Sequence, residues 1–305
     1  MISATTPFHP GEQAVQSRAG VRAQADAVGR VIRDHMPEQH RTFFAQLPWL
    51  LVGSVDADGQ PHASALWGAP GFVHAPDPRL LRIDARAEAD DPLVADVGAS
   101  VGVLGIELPT RRRNRMNGVV VAADERGFSI AVRQSFGNCP KYIQARGWEA
   151  AARTGGGCVR GQGLDPRWIA IAEAADTFFL ASRSADPRVG GVDVSHRGGA
   201  PGFVRVEADG RLWVPDYAGN MMFNTLGNLL EEPRCGLLFV DFAGGDLLHV
   251  EARAEVAWPE DFAAVEAAVP AGAERMLALR PGRWTLRRGR LGLAFTAPIL
   301  SPFLP

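Results

Sequence analysis

The sequence predicts a mainly β protein with helices, of the α+β class, made of two tandem copies of one small antiparallel barrel. Three observations lead to this fold class. A chain of 305 residues exceeds the size at which a single hydrophobic core stops growing, so two domains are expected. Short apolar runs alternate with Gly and Pro, as in small barrels. The hexapeptide GAPGFV occurs at Gly68–Val73 and again at Gly199–Val204, 131 residues later (199 − 68).

The repeat extends beyond the hexapeptide. WLLVGS at Trp49 is matched by FLASRS at Phe179, within one residue of the same offset, and VGVLGI at Val101 resembles CGLLFV at Cys235. A chance hexapeptide would not carry matching neighbours. The repeat therefore indicates that one structural unit is present twice.

The two copies differ after the aspartates that close the matched segments. YAGNMMFNTLGNLL follows Asp216, whereas ARAEADDPLVADVG follows Asp84. The second copy is therefore predicted to hold a ligand. The first copy carries TRRRNRMNG and QSFGNCPKYIQ, which the second lacks, and we expect it to supply the other wall of a shared cleft, because ligand sites often lie at domain interfaces.

Helices are expected at both ends of the first copy. Glu12–Met36 has apolar residues at helical spacing and precedes Pro37, which predicts one helix. A second helix is predicted around Trp168, because Ile171, Ala172 and Ala175 share its face. It follows a Gly-rich linker at 154–163.

Strands are predicted from short apolar runs between turn residues. The turn at 56–59, Asp-Ala-Asp-Gly, predicts a hairpin. The predicted strands of the first copy are Trp49–Val55, Pro61–Leu66, Gly71–Val73, Leu80–Ile83, Val101–Ile106, Gly118–Val121 and Phe128–Val132. The predicted domains are an N-terminal helical segment (1–39), a first barrel (40–150), a linker and helix (151–175), a second, ligand-holding barrel (176–258), and a C-terminal helix and tail (259–305).

Composition excludes several classes of protein. Basic and acidic residues number 32 and 34, for a net charge of −2, so nothing global favours nucleic acid or an anionic membrane. The three cysteines are well separated, which argues against a disulfide framework or a zinc site and fits the cytoplasm. No apolar run of about 18 residues and no signal-like start occur, so neither membrane insertion nor export is expected.

Ser195–Val204 is a candidate phosphate site. The Ser195 hydroxyl, the Arg197 guanidinium and the backbone around Gly198 are groups that bind phosphate, because Arg donates two parallel hydrogen bonds and Gly lets the backbone approach closely. The alternative is a surface turn between strands.

Pro215–Leu229 is a candidate site for a heterocyclic ring. A helix is predicted to begin near Met221, with Thr225 and Asn228 on one face and Asn220 before it. Amides pair with the donors and acceptors of a heterocycle's edge, and a helix N-terminus favours an anion. The alternatives are that Asn220 caps the helix and that its apolar stripe is core.

The first copy adds further candidates. The basic cluster is Arg111, Arg112, Arg113 and Arg115, which can bind a phosphate or an anionic substrate, or can be a solvated edge that opposes aggregation. A polar group at the end of a strand comprises Gln134, Ser135, Asn138 and Lys141. Cys139 beside it is interpreted as a small buried filler rather than a nucleophile.

Other sites have no support in the sequence. The seven histidines show no HxxxH or HxH spacing, so no metal is expected. A Rossmann nicotinamide domain and a P-loop are not expected, because neither glycine motif occurs at a strand-to-helix junction.

The chain resembles the pyridoxamine 5'-phosphate oxidase-like, FMN-binding split-barrel family, in particular its tandem-barrel group related to ferredoxin-reductase fusions. The motifs that carry the resemblance span most of the chain: FHPGE at Phe8, LGIELPTRRRNRMNG at Leu104, QSFGNCPKYIQ at Gln134, DVSHRGGAPGFV at Asp193 and PDYAGNMMFNTLGNLLEEPR at Pro215. The chain departs from the fused form, because it contains neither an NAD-binding module nor a cysteine set for an iron–sulfur cluster.

The resemblance implies FMN, rather than FAD, held between split barrels. Carried onto this sequence, Ser195, Arg197 and Gly198 lie near the phosphate and Phe203 and Val204 near the ring. The resemblance places four residues around the ribityl chain or ring edges: Asp216, Tyr217, Asn220 and Asn228. Thr225, on the same predicted helix, joins the candidate cofactor-binding set. Arg113, Gln134 and Ser135 are expected to contribute from the other barrel or from a second subunit.

The sequence thus favours a cytoplasmic, homodimeric FMN-dependent oxidoreductase. Its electron donor is expected to be NAD(P)H or a separate reductase, and its acceptor a small molecule. No general acid or base is assigned, because in such enzymes the cofactor carries the chemistry. The alternatives are a pyridoxamine-phosphate-type oxidase, a non-catalytic flavin or haem carrier, and a redox-sensing binding module.

Overall fold

The computed structural model describes residues 6–152, 155–184, 191–264 and 269–305, which form a mainly β structure with short helices. The helices are α1 (Pro10–Arg18), α2 (Arg22–Gly29), α3 (Glu38–Ala45), α4 (Pro166–Ala174) and α5 (Asn224–Glu231). The strands are β1 (Trp49–Val55), β2 (Pro61–Trp67), β3 (Val73–Asp77), β4 (Leu80–Ile83), β5 (Ser100–Glu107), β6 (Arg112–Asp124), β7 (Gly127–Asn138), β8 (Trp148–Ala150), β9 (Cys158–Gln162), β10 (Thr177–Arg183), β11 (Val192–Gly198), β12 (Arg205–Val206), β13 (Leu212–Tyr217), β14 (Arg234–Val240), β15 (Leu247–Ala257), β16 (Ala273–Arg287) and β17 (Leu293–Phe295). The predicted α+β class is confirmed.

Two large antiparallel sheets have the same strand order. The first runs β2-β1-β5-β6-β7-β4-β3, and the second runs β11-β10-β14-β15-β16-β13-β12, with β9 paired to β16. Replacing β1–β7 by β10–β16 in sequence order turns one sheet into the other. Over the described residues, backbone pairing closes neither sheet into a complete barrel. The internal repeat therefore corresponds to a repeated sheet topology.

The GAPGFV hexapeptide forms the same turn in both sheets. Phe72 donates its N–H to the Ala69 carbonyl at 2.9 Å, and Phe203 donates to Ala200 at the same distance. The glycine before each phenylalanine has a positive φ, 99° in the first copy and 84° in the second, which only glycine adopts readily. Each phenylalanine is buried in the core of its own sheet. The hexapeptide is thus part of the architecture, as its duplication indicated.

The two sheets pack against each other through reciprocal glycine contacts. A Cβ on Gly102 would lie 2.6 Å from the carbonyl oxygen of Val192, and a Cβ on Gly236 would meet the carbonyl oxygen of Pro61. Each glycine thus contacts the first two residues of an edge strand of the partner sheet. Gly102 contacts β11, and Gly236 contacts β2. A shared apolar cluster fills the interface, where the rings of Trp49 and Phe179 lie 5.8 Å apart. This packing places β6 of one sheet beside β11 of the other.

The N-terminal segment differs from its prediction. Instead of one helix over Glu12–Met36, α1 ends at Arg18 and α2 begins at Arg22, because the chain turns at Gly20 with φ of 71°. Met36 lies outside a helix and donates its N–H to the Pro78 carbonyl at 2.7 Å.

The predicted boundaries of the second unit are too narrow. Ala273–Arg287, assigned to a C-terminal helix and tail, is strand β16, which pairs with β13, β15 and β9 at the centre of the second sheet. Cys158–Gln162, assigned to the linker, is its partner β9. The helix predicted near Trp168 is confirmed as α4. Part of the predicted linker (153–154) and of the predicted C-terminal helix (265–268) lies outside the described residues. Among those described, no helix is long and apolar enough to cross a membrane.

The glycine contact between the sheets can be tested by substitution. We expect Gly236→Ala to lower the free energy of unfolding by about 2 kcal/mol or more, because the added methyl group collides with the Pro61 backbone, which cannot move without shifting β2. Gly157→Ala is the matched control, since no atom lies within 4 Å of its Cβ position. Urea unfolding of both variants measures the difference. Equal stability of the two variants would contradict the packing described here.

Candidate functional site

A cavity of about 120 Å³ lies where the two sheets meet. The first half of the chain contributes β6, the end of β7 and the segment after it, whereas the second contributes β11, β13, α5 and one residue of β16. The residues that line it are Arg113, Arg115, Asn138, Cys139, Lys141, Tyr142, Ser195, His196, Arg197, Gly198, Pro215, Asp216, Tyr217, Gly219, Asn220, Met221, Phe223, Asn224, Thr225, Leu226 and Arg275. Both walls of the cleft therefore come from one chain.

The basic cluster divides between the cavity and the exterior of the sheet. Successive side chains of a strand point to opposite faces, so Arg113 and Arg115 share the face that lines the cavity. Arg112 stacks on the ring of Phe43, with 5.2 Å from its guanidinium carbon to the ring centroid. Arg111 donates to backbone carbonyls, including that of Ile143 at 3.0 Å. Two of the four arginines thus belong to the site.

Ser195 and Arg197 lie on strand β11, not on a surface turn. Arg115 donates to Asp193 at 2.6 Å and also to the Ser195 hydroxyl, which lies 2.6 Å from the hydroxyl of Thr225. This network joins β6 of the first sheet to β11 and α5 of the second. It assembles one side of the cavity from residues far apart in sequence.

A second ion network holds the other side of the cavity. Arg197 donates to Asp216 Oδ1 at 2.6 Å, and Arg275 donates to Asp216 Oδ2 at 2.9 Å. Asp216 therefore uses both carboxylate oxygens to hold two arginines beside the cavity. Arg275 was not predicted, because its strand was assigned to the C-terminal tail.

Helix α5 begins later than predicted. It starts at Asn224, after Phe223 in the left-handed region with φ of 60°, and not at Met221. Asn220 does not cap the helix: its side chain accepts from the Met222 N–H at 3.1 Å and donates to Asn138 at 2.8 Å. Asn220 thus links the turn before the helix to the end of β7.

Of the thirteen candidate residues, eight line the cavity: Arg113, Ser195, Arg197, Gly198, Asp216, Tyr217, Asn220 and Thr225. The other five lie elsewhere. Phe203 and Val204 are in the core of the second sheet, and Asn228 points inward to donate to Ser182 at 3.0 Å. Gln134 donates to the Pro7 carbonyl at 3.1 Å, and the Ser135 hydroxyl lies 2.8 Å from His40.

An aromatic pair flanks the cationic groups. Tyr142 and Tyr217 are the two tyrosines of the sequence, and their ring centroids lie 5.1 Å apart with the planes inclined by 38°. Tyr142 adopts a positive φ of 65°, and its hydroxyl donates to the Ala218 carbonyl at 3.1 Å. Sequence reasoning missed Tyr142, although the motif QSFGNCPKYIQ contains it. The pair offers aromatic surface beside the cationic groups of the cavity.

Hydrogen-bond donors around the cavity exceed their acceptors. Buried nitrogens without a partner among the described residues are Nε of Arg115, Nε of Arg197, Nδ2 of Asn138 and Nε2 of His196, whereas Asp193 has one unpaired oxygen. Buried polar groups normally have partners, so such a cluster points to a missing acceptor. The lining cations are Arg113, Arg115, Lys141, Arg197 and Arg275, against three carboxylates that pair with them, those of Asp193, Asp216 and Glu274. The site therefore favours an anion.

His196 is neutral in this setting. Burial, followed by the charges of Arg113 and Arg197, lowers its pKa well below the usual value. Arg113 donates to Nδ1 at 3.2 Å, so the ring proton lies on Nε2, which becomes another donor. Burial likewise lowers the pKa of Arg113 to about 10. Cys139, interpreted as a buried filler, is half-buried and accepts from Arg113 through its carbonyl at 2.8 Å.

No model of a known protein family matches this chain, and no curated protein matches it. Solved structures similar to it include a putative pyridoxamine 5'-phosphate oxidase from Lactobacillus delbrueckii, with 17% identity, a TM-score of 0.32, and coverage of 40% of this chain and 93% of that one. An FAD-binding protein from Mesorhizobium loti has 11% identity, a TM-score of 0.28, and coverage of 43% and 98%. An F420 reductase has 17% identity, a TM-score of 0.24, and coverage of 38% and 93%. At this level of similarity, function has to be argued from the site itself.

Glu12 lies behind the cavity wall and is almost fully buried. It accepts from the His9 N–H at 2.8 Å and from the Asn224 amide, which ties α1 to α5. Gly11 and Gly227 touch at the helix contact, which brings the carboxyl group inside. Burial raises the pKa of Glu12 to about 7, although His9 opposes the shift. The FHPGE motif therefore places a protonatable carboxyl group directly behind α5.

Glu12→Gln tests this burial through the pH dependence of stability. The folded-state pKa of about 7 exceeds the ordinary value of 4.5 for a glutamate, so the folded chain retains a proton that the unfolded chain releases as pH rises. Glu12 therefore lowers stability progressively between these pH values, by up to about 3 kcal/mol above pH 7. Between pH 4.5 and 7.5, the free energy of unfolding of the wild type should fall relative to that of Glu12→Gln. Parallel profiles from urea titrations would refute the burial of this carboxyl group.

Proposed function

We propose that this chain binds FMN at the cleft between its two sheets, with the phosphate inside the cavity of about 120 Å³, and acts as a flavin-dependent oxidoreductase. The observation that carries the proposal is the convergence of unpaired cationic donors with a tyrosine pair in one interdomain cavity. A phosphorylated, ring-bearing ligand needs these two kinds of surface side by side. The resemblance of the motifs at Gln134, Asp193 and Pro215 to the FMN-binding split-barrel family supports the same ligand. In this proposal, each sheet is one split barrel.

The phosphate would be held on the Arg115 side of the cavity. Ser195 and Thr225 supply adjacent hydroxyls, and Arg115 and Arg197 supply fixed charges with unpaired Nε–H groups. Hydrogen bonds from charged donors are about twice as strong as neutral ones, so these groups fit an anionic oxygen. Neutral His196 would add an N–H donor without a charge that varies with pH.

The ring would lie against Tyr142 and Tyr217, with the amides of Asn138 and Asn220 at its edge. Amide groups offer both a donor and an acceptor, which suits a heterocycle with alternating polarity. Phe203 and Val204, which the family resemblance places near the ring, lie in the core of the second sheet, where they belong to the same cluster as Leu212 and Val214 of β13.

When bound, a flavin supplies the redox chemistry, and the chain binds, orients and shields it. Lys141 lies among the lining residues and would attract an anionic electron donor such as NAD(P)H. A separate reductase is the other proposed donor, and the acceptor is proposed to be a small molecule. The proposed homodimer is not needed to complete the cavity, since one chain supplies both walls.

A purified sample should be yellow, because bound flavin absorbs in the visible range. Under anaerobic conditions, NAD(P)H or NAD(P)H with a partner reductase should bleach that absorbance if the bound flavin is a redox cofactor. A colourless protein that takes up neither FMN nor FAD would refute the proposal. Flavin that cannot be reduced by either donor would favour a carrier or a sensing module over an enzyme.

The double variant Arg197→Ala, Asn220→Ala should bind FMN about 100-fold more weakly than the wild type. It loses one charge-assisted hydrogen bond and one amide contact, together about 3 kcal/mol. Arg205→Ala is the control, because Arg205 is exposed on β12 away from the cavity. Fluorescence titration of each apoprotein with FMN measures the affinity. Equal affinity of the double variant and the control would show that the ligand lies elsewhere.

A further inference from the structure

The repeated topology defines a second location equivalent to the cavity. The cavity is built from β6 and β7 of the first sheet and β11 of the second, so its counterpart lies among β15, β16 and β2. The reciprocal contacts of Gly102 and Gly236 show that β11 packs on β5 as β2 packs on β14. The two locations are therefore related by an approximate two-fold axis within the chain.

Strand registers identify the equivalent residues. Ser64 and Ser195 each lie four residues before GAPGFV (68 − 64 and 199 − 195). Gly102 and Gly236 are equivalent, so the residues two positions after them, Leu104 and Leu238, are equivalent as well. Leu104 pairs with Arg115 of β6, and Leu238 pairs with His249 of β15.

The next pair along each ladder completes the comparison. Arg113 pairs with Asn138 in the first sheet, and Leu247 pairs with Arg287 in the second. Ser64 is thus the counterpart of Ser195, and His249 is that of Arg115. Leu247 corresponds to Arg113, and Arg287 corresponds to Asn138.

A carboxylate occupies the counterpart location. Ser64 donates its hydroxyl to Asp91 Oδ1 at 2.5 Å, and Arg287 donates to Asp91 Oδ2 at 2.6 Å. His249 Nε2 lies 3.7 Å from the same carboxylate. Arg287 is only 1% exposed, and Glu88 and Asp90 also bind it, at 2.7 and 3.0 Å. The Ser64 hydroxyl and the Arg287 guanidinium are therefore both paired with acids of the chain.

In the cavity of the candidate site, which we call the open cavity, Thr225 takes the place of Asp91. The counterpart location around Asp91 is called the closed location. The hydroxyl of Thr225 lies 2.6 Å from Ser195, as the Asp91 carboxylate lies against Ser64. Three residues later in each case, the chain donates at 3.0 Å to a buried serine: the side-chain amide of Asn228 to Ser182, and the backbone N–H of Val94 to Ser54. The two segments thus lie beside equivalent serines, and a hydroxyl of one stands where the other has a carboxylate.

We propose that Asp91 fills a second, pseudosymmetric anion site with the chain's own carboxylate, so that one chain binds one phosphate-bearing ligand and not two. The proposal rests on the proposed function only for the nature of the ligand in the open cavity. The closed location also lacks counterparts of two cations of the open cavity, because Leu247 and Leu66 stand where the open cavity has Arg113 and Arg197. The free volume near Arg287 is about 20 Å³, against about 120 Å³ in the open cavity.

Ligand stoichiometry is the first test. Titration of the wild-type apoprotein with FMN, followed calorimetrically, should give one equivalent per chain. Two equivalents per chain would overturn the inference. No binding at all would refute the proposed function, and the second experiment then decides the inference without any flavin.

Chemical rescue is the second test. Removing the carboxylate in Asp91→Ala leaves the Ser64 hydroxyl and Nη1 of Arg287 without their acceptor, while Glu88 and Asp90 still bind the rest of the guanidinium, so the thermal midpoint should fall by several degrees. Formate, a free carboxylate small enough for the space vacated, should restore most of that loss. Asp91→Thr, which introduces the residue of the open cavity, is a milder variant that should respond in the same direction.

Wild type and Asp209→Ala are the controls for rescue, because Asp209 is an exposed carboxylate with a local arginine partner. Formate should raise their midpoints much less than those of the Asp91 variants. An equal response in all four proteins would overturn the inference. If neither Asp91 variant folds, the stoichiometry of the wild type alone decides it.

Discussion

The contact between the two sheets, made by Gly102 and Gly236, is the constraint on which the rest of the structure depends. Each glycine lets a backbone strand of the partner sheet approach to a distance that any side chain would prevent. The approach brings β6 within hydrogen-bond reach of β11, so Arg115 meets Asp193 and Ser195. Without this contact, the walls of the cavity would be separate surfaces with weak affinity for any ligand. The site is thus a product of the sheet packing and not of one motif.

Because the two sheets have the same topology, the residues at equivalent positions of the two halves can be compared directly. Equivalent positions hold a hydroxyl at Thr225 and a carboxylate at Asp91, and this difference contributes to whether the chain itself compensates the nearby cations. Buried charges are costly unless paired, so Arg287 with its three acids is a stable closed arrangement. Arg115 and Arg197 each keep an unpaired nitrogen, which leaves the open cavity suited to an external anion.

Local patterns in the sequence were sufficient for the repeat, for the approximate positions of most strands of the first sheet and for eight of the residues that line the cavity. They were insufficient where distant contacts decide the outcome. Tyr142 reaches the cavity only because its backbone adopts a positive φ, which no pattern around it predicts. The family resemblance placed Phe203 and Val204 near the flavin ring, but both side chains are buried in the core of the second sheet. Strand β16 was not predicted because Pro281 and Gly282 interrupt its sequence pattern. In the structure, a bulge opposite Val250 and Ala252 accommodates these two residues.

The central claim is that one phosphorylated flavin binds between the sheets through the cationic donors of the cavity. Comparing riboflavin with FMN, which differ by the phosphate group, tests it most directly. At fixed ionic strength, the apoprotein should bind FMN at one equivalent per chain and at least about 100-fold more tightly than riboflavin, since two or more charge-assisted hydrogen bonds hold the phosphate. Equal affinities for the two flavins, or binding of neither, would contradict the account.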